Sequence, residues 1–257
     1  MKLYLIIQIS IIILLFSRMG LLENYKITTS TLPETTQYNK LKFPLDSGYI
    51  NKKEGLQFLL SNSLSDTANS AWYLMKETDT IGKYYKVNES GNFYLCLIDY
   101  SNRYTFETHL IIEVNPSGDV LESERFRHGN YPCCWRNYYD GFNKYGEYFG
   151  IITCGTGSGY CASHLYLFKQ LISQDEQKSI PEDYWSCGPN GEFHSLNSTM
   201  EFQQGNLIMH YKLDYGKMSL KGKNKVKKTK SFDAIYTFKD NKWTTNDSTK
   251  LRDLDVW

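Results

Sequence analysis

The stretch KYYKVNESGNFYLCLID, Lys83 to Asp99, decides how this chain folds. An alternating run meets a glycine-bearing turn, and a second run rich in aromatic and branched residues follows. That order is a β-hairpin. It returns in HLIIEVNPSGDVLESERF (109–126), in MEFQQGNLIMHYKL (200–213) and in AIYTFKDNKWTTN (234–246). Asn115-Pro116-Ser117-Gly118 has proline second and glycine fourth, the signature of a type I turn. The expectation is an all-β (minor α) chain, a single antiparallel meander domain spanning 46–257 and built as a sandwich, barrel or propeller-like sheet. Irregular hairpin spacing argues against a repeat protein. No strand–helix–strand alternation appears, which disfavours a nucleotide-binding sheet.

One helix interrupts the strands. In NKKEGLQFLLS, Asn51 can cap and Glu54 sits three residues on, so the spacing predicts a helix over 52–61. Leu56, Phe58, Leu59 and Leu60 give it an apolar face to lay on a sheet. LFKQLISQDEQKS, 167–179, is a weaker second helix candidate.

Upstream, a single lysine precedes an apolar run from Leu5 to Phe16. The run is short for a membrane span and suits a signal-peptide core over residues 1–20; uncleaved, residues 3–22 would be an N-terminal anchor. Both outcomes place the mature chain outside the cytoplasm, in the periplasm or beyond the cell. Residues 21–45 are polar, threonine-rich and aperiodic, and read as a linker or draped arm. Net charge is +1, so composition gives no bias towards nucleic acid. Twenty-one tyrosines suit half-buried sheet surfaces and binding faces.

Export changes how the six cysteines read, because disulfides persist there. CGTGSGYC, Cys154 to Cys161, lies between the strand-like runs EYFGIIT and ASHLYLF. It reads as a six-residue hairpin loop with a Cys154–Cys161 staple, the glycines supplying positive φ. A phosphate cradle is disfavoured, since a strand follows instead of a helix and the loop holds no lysine. Adjacent Cys133 and Cys134 would each seek a distant partner, with Cys96 and Cys187 remaining. Zinc on His128, Cys133 and Cys134 is disfavoured by spacing and by oxidation.

Chemistry at the glycine stretch has weak support. Ser163 and His164 are adjacent and point to opposite faces of a strand, as do Cys161 and His164. A distant His128 or His194 would have to serve Cys161 or Ser163. The acids Glu113, Asp119, Glu122, Glu124, Asp140 and Glu147 show no evident pairing for glycoside hydrolysis. Lys217 to Lys230, with seven lysines and no acid, reads as a solvated hairpin loop or a guarded sheet edge, with an acidic partner as the functional alternative. The sequons at Asn88, Asn197 and Asn246 matter only in a eukaryotic secretory route.

The sequence therefore favours a non-catalytic binding or protective protein of the cell envelope, stabilised by disulfides, with no metal or cofactor. A secreted hydrolase using Cys161 or Ser163 is the alternative. The expected partner is a protein or envelope component. Its expected surface joins Tyr131, Trp135, Arg136, Tyr138 and Tyr139, types that concentrate binding energy, to Thr156 and Ser158 at the hairpin tip.

Overall fold

The computed structural model describes residues 40–65, 75–99, 108–128, 138–218, 224–247 and 251. All of them belong to one compact unit, Tyr38–Trp257. The N-terminal apolar run, Tyr131, Cys133, Cys134, Trp135 and Arg136 lie outside the described residues. No helix among the described residues is long and apolar enough to cross a membrane.

Two antiparallel meanders follow one another along the chain. The first sheet orders β1 (Ser47–Asn51), β2 (Thr80–Lys86), β3 (Phe93–Asp99), β4 (Thr108–Val114) and β5 (Val120–Arg127). The second orders β6 (Phe142–Tyr145), β7 (Tyr148–Gly157), β8 (Tyr160–Phe168), β9 (Ile180–Cys187), β10 (Glu192–Gln203), β11 (Asn206–Met218), β12 (Asn224–Lys239) and β13 (Lys242–Thr245). Within each sheet every strand pairs with its chain neighbours, as expected for hairpins of short sequence separation. The all-β meander is present, divided into two sheets, with no closed barrel among the described residues.

The helix forms where the capping signal lies. Helix α1 spans Lys52–Ser61, and Asn51 Oδ1 accepts from the Glu54 amide at 2.9 Å. Asn51 Nδ2 returns to Glu54 Oε2 at 2.9 Å, which closes the box through side chains. Phe58 and Leu59 are buried on the first sheet, but Leu60 stays exposed. Gly55 is the point of closest approach: a Cβ there would stand 2.6 Å from Ile81 Cδ1. The expected helix over 167–179 is absent. β8 runs to Phe168, and only a 3₁₀ turn at Gln174–Glu176 follows. The end of the polar arm is seated rather than draped, with Phe43 stacked on Phe93 at 4.3 Å.

Period-two alternation gives the first sheet two apolar faces. Phe93, Leu95, Leu97, Leu110, Ile112 and Val114 meet α1 and the arm. Tyr94, Cys96, Ile111 and Phe126 face the other way and pack on Phe142, Phe149, Ile151 and Phe168 of the second sheet. The second sheet curls, so that its last strands return over its first. Tyr148 meets Trp243 at 5.0 Å and Phe238 at 5.1 Å, within a core that includes Ile152, Leu165, Leu167, Met209 and Tyr236. Strand β7 is thus covered on both sides, and its first seven residues are all buried. That is why YFGIITC reads as an unbroken apolar run instead of alternating.

The sheet–sheet layer sets a stability test. Ile151→Ala removes a fully buried side chain between two sheets and should cost about 2–5 kcal/mol in urea unfolding. Leu121→Ala, at an exposed position, should stay within about 0.5 kcal/mol.

Candidate binding pocket between the sheets

The alternation that buries Tyr94, Ile111 and Phe126 also sends acids to the same face. Glu113 lies two residues beyond Ile111 on β4, and Glu122 lies four before Phe126 on β5. They are direct cross-strand partners, and Tyr94 on β3 is the other neighbour of Glu113. Where the sheets part, these residues wall a cavity of about 380 Å³. The hairpin ends Val87–Ser90 and Lys144–Glu147 and the segment Lys169–Leu171 close it. Its volume lies in the usual range for small-molecule sites.

The floor is apolar and the rim charged. Tyr94, Phe149 and Leu171 are almost wholly buried and continue the inter-sheet core. Burial pushes the Tyr94 hydroxyl well above the usual phenol range, and Glu113 nearby adds to it. The hydroxyl is a neutral donor at any physiological pH, hydrogen-bonded to Glu113 and to the Leu171 backbone. Four carboxylates line the pocket against two ammonium groups. Both lysines are committed: Lys169 to Glu147 at 2.7 Å and Glu89 at 3.4 Å, Lys144 to the Lys86 carbonyl and Asn88 Oδ1, each at 2.7 Å. The hydrogen bond from Lys169 holds the Glu147 carboxyl below its ordinary value. Glu113 accepts from Asn92 Nδ2 at 2.7 Å. Among the described residues, neither Glu113 nor Glu122 is ion-paired, so two carboxylates face each other without a cation.

The glycine stretch is built differently from expectation. Cys154 opposes Ser163, and Cys161 opposes Thr156. The strands run on through Gly155–Gly157, so no six-residue loop exists; the turn is Ser158–Gly159, with Gly159 at φ +85°. Cys154 and Cys161 are diagonal neighbours, typically about 7–8 Å apart between Cα atoms and beyond disulfide reach. The staple is therefore absent: Cys161 is a free thiol, as are Cys187 and the fully buried Cys96, which corrects the expected bridging of all three. Cys187 donates weakly to the Gly188 carbonyl. Cys96 sits inside the inter-sheet core, packed with Ile111 and Phe126. Cys154 is a disulfide cysteine.

Nor does the structure bring a histidine to Cys161 or Ser163. Burial, with the Asp183 charge, raises the Cys161 thiol, the opposite of what a nucleophile needs. Ser163 donates to Glu182 Oε2 at 2.5 Å. His194 pairs with Ser186 and so lies on the face opposite Cys161, which pairs with Trp185. His128 is committed elsewhere: its Nδ1 accepts from the Cys154 amide at 3.0 Å, which fixes its proton on Nε2. Nε2 then donates to His109 Nδ1 at 2.9 Å, and both rings are buried. No cluster of three or more potential metal ligands occurs among the described residues.

The expected partner surface is only partly visible. Tyr138 and Tyr139 lie in a 3₁₀ turn, Tyr138–Gly141. Tyr139 is spent on the first sheet, edge-on to Tyr49 at 6.1 Å and hydrogen-bonded to Thr80. Thr156 faces Cys161, and Ser158 is exposed at the tip. Sequence reasoning missed Tyr94, Lys144, Phe149, Lys169 and Leu171. It noted Glu113 and Glu122 without pairing them, although both flank the Asn115–Gly118 turn and face each other once the hairpin register is set. Comparison with protein-family models, with curated proteins and with solved structures finds no match to the chain.

Two measurements check this arrangement. Iodoacetamide should label Cys161 and Cys187 in the native protein and Cys96 only after denaturation. Burial lowers the His128 pKa to about 4 from 6.5. The neutral ring therefore contributes stability that is complete above pH 6.5 and is lost as pH falls towards 4, about 3 kcal/mol in all. His128→Gln should flatten that part of the stability–pH profile.

Proposed function

We propose that this chain is an exported, non-catalytic binding or protective protein of the cell envelope. Its inter-sheet pocket takes a small ligand with an apolar body and a cationic head. The observation that carries the reading is the facing pair Glu113 and Glu122 above the Tyr94–Phe149–Leu171 floor, with both pocket lysines already engaged. Like charges directly opposed on a sheet are destabilising. A bound cation would relieve them while the apolar floor takes the rest of the ligand. Export rests on the apolar run Leu5–Phe16. The reading of binding without chemistry is supported by the raised thiol of Cys161 and the carboxylate-bound Ser163.

Calorimetric titration with phenethylamine tests it. Saturable binding is expected, weakened about tenfold by Glu113→Gln or Glu122→Gln and by added salt. The uncharged analogue phenylethanol should not compete. Equal binding of the neutral analogue, or no saturable binding, would overturn the reading. Glu122→Gln should leave the fold's stability unchanged or raised, since it removes a repulsion without breaking a hydrogen bond shown among the described residues.

A further inference from the structure

We infer that the lysine-bearing end of the β11–β12 hairpin is a docking surface for an anionic lipid bilayer, a second interaction beyond the pocket. Seven lysines fall within Lys217–Lys230 with no acid among them, while the whole chain carries only +1. Subtracting those seven from +1 leaves −6 for everything else, so the charge is segregated instead of balanced. Most of the stretch is strand: β11 reaches Met218, and β12 begins at Asn224.

The β11–β12 register places no acid directly opposite the lysines it pairs. Lys225 stands directly across from Lys217, Lys228 across from Tyr215 and Lys230 across from Leu213. Asp214, the acid nearest on β11, is held by Lys212 at 3.3 Å and by the Thr229 hydroxyl at 2.5 Å. Lys225, Lys227 and Lys228 are exposed, and none of them is ion-paired among the described residues. β13 pairs with β12 only at Tyr236–Lys239, so Asn224–Ala234 is an open strand edge among the described residues. Charged side chains, lysine above all, guard such an edge against pairing with another chain. A directly opposed lysine pair, Lys217 and Lys225, lowers stability, which edge protection alone does not call for. The excess fits a flat, fixed array of phosphates.

Co-sedimentation of the full chain with vesicles decides it. Zwitterionic phosphatidylcholine vesicles report whatever the N-terminal apolar run contributes, because that contribution does not depend on lipid charge. The surface is read from the gain on replacing part of that lipid with phosphatidylglycerol. Each exposed lysine near an anionic bilayer raises binding about fivefold, so neutralising three of them in the triple variant Lys225→Gln, Lys227→Gln, Lys228→Gln should lose about a hundredfold of the gain. The corresponding Glu variant, which reverses the three charges, should lose more, and 1 M salt should abolish the gain in the parent. Equal binding to both vesicles, a gain that survives in folded variants, or stronger binding to soluble heparin than to anionic vesicles would each overturn the inference. Should a variant fail to fold, the parent's lipid preference and salt dependence still decide. Phenethylamine binding, measured in parallel, fails or holds independently of this result.

Discussion

The burial of β7 on both faces is the constraint on which the rest of the structure depends. Phe149 and Ile151 enter the layer against the first sheet, while Tyr148 and Ile152 enter the core closed by the returning strands. A strand in that position must satisfy its backbone through its two neighbours, because no water reaches it. β8 does so over most of its length and β6 alongside residues 148–151, and beyond the end of β6 the His128 ring accepts the Cys154 amide. Gly150 allows close packing here: a Cβ would stand 2.7 Å from both Leu167 Cδ2 and Tyr145 Cε2.

The pocket follows from the same layering. Two meanders that pack through a shared aromatic layer diverge at their hairpin ends, where each sheet's twist carries it away from the other. At that mouth the period of two still points Glu113, Glu122 and Tyr94 inward, but no facing apolar layer remains to meet them. A core position one step deeper, Ile111 or Cys96, becomes a cavity wall at Glu113 or Tyr94. Floor and rim are therefore the end of the hydrophobic core and the beginning of solvent, with the charges left by the sequence at that boundary.

The two histidines and the free thiols show what a buried polar group requires. His109 and His128 persist in the interior because they are neutral and hydrogen-bonded in series from a backbone amide. Cys96 persists as a small apolar group, its thiol raised far above the ordinary range by burial, and cannot act as a nucleophile. The chain's chemistry-bearing residues are largely absorbed by structure, and the charges that structure does not absorb sit at the pocket mouth and on the β12 edge.

Local signals in the sequence determined the elements. Alternation and turn residues marked the hairpins, and Asn51 with Glu54 marked the start of α1, because both depend on bonds between residues close in the chain. The all-β class followed from those bonds alone. Tertiary structure decided the rest. The segment 167–179 has helical composition, yet its first residues are drawn into β8, where Phe168 fills the inter-sheet core. The cysteine spacing at 154 and 161 suggested opposed partners, but the ladder continued to a two-residue turn and shifted the register by two. Division into two sheets, the return of β13 over β7 and the meeting of Glu113 with Phe149 at one cavity all join residues far apart in the chain. Such contacts depend on which faces are covered, a quantity set by the packing of whole sheets and not by any local pattern.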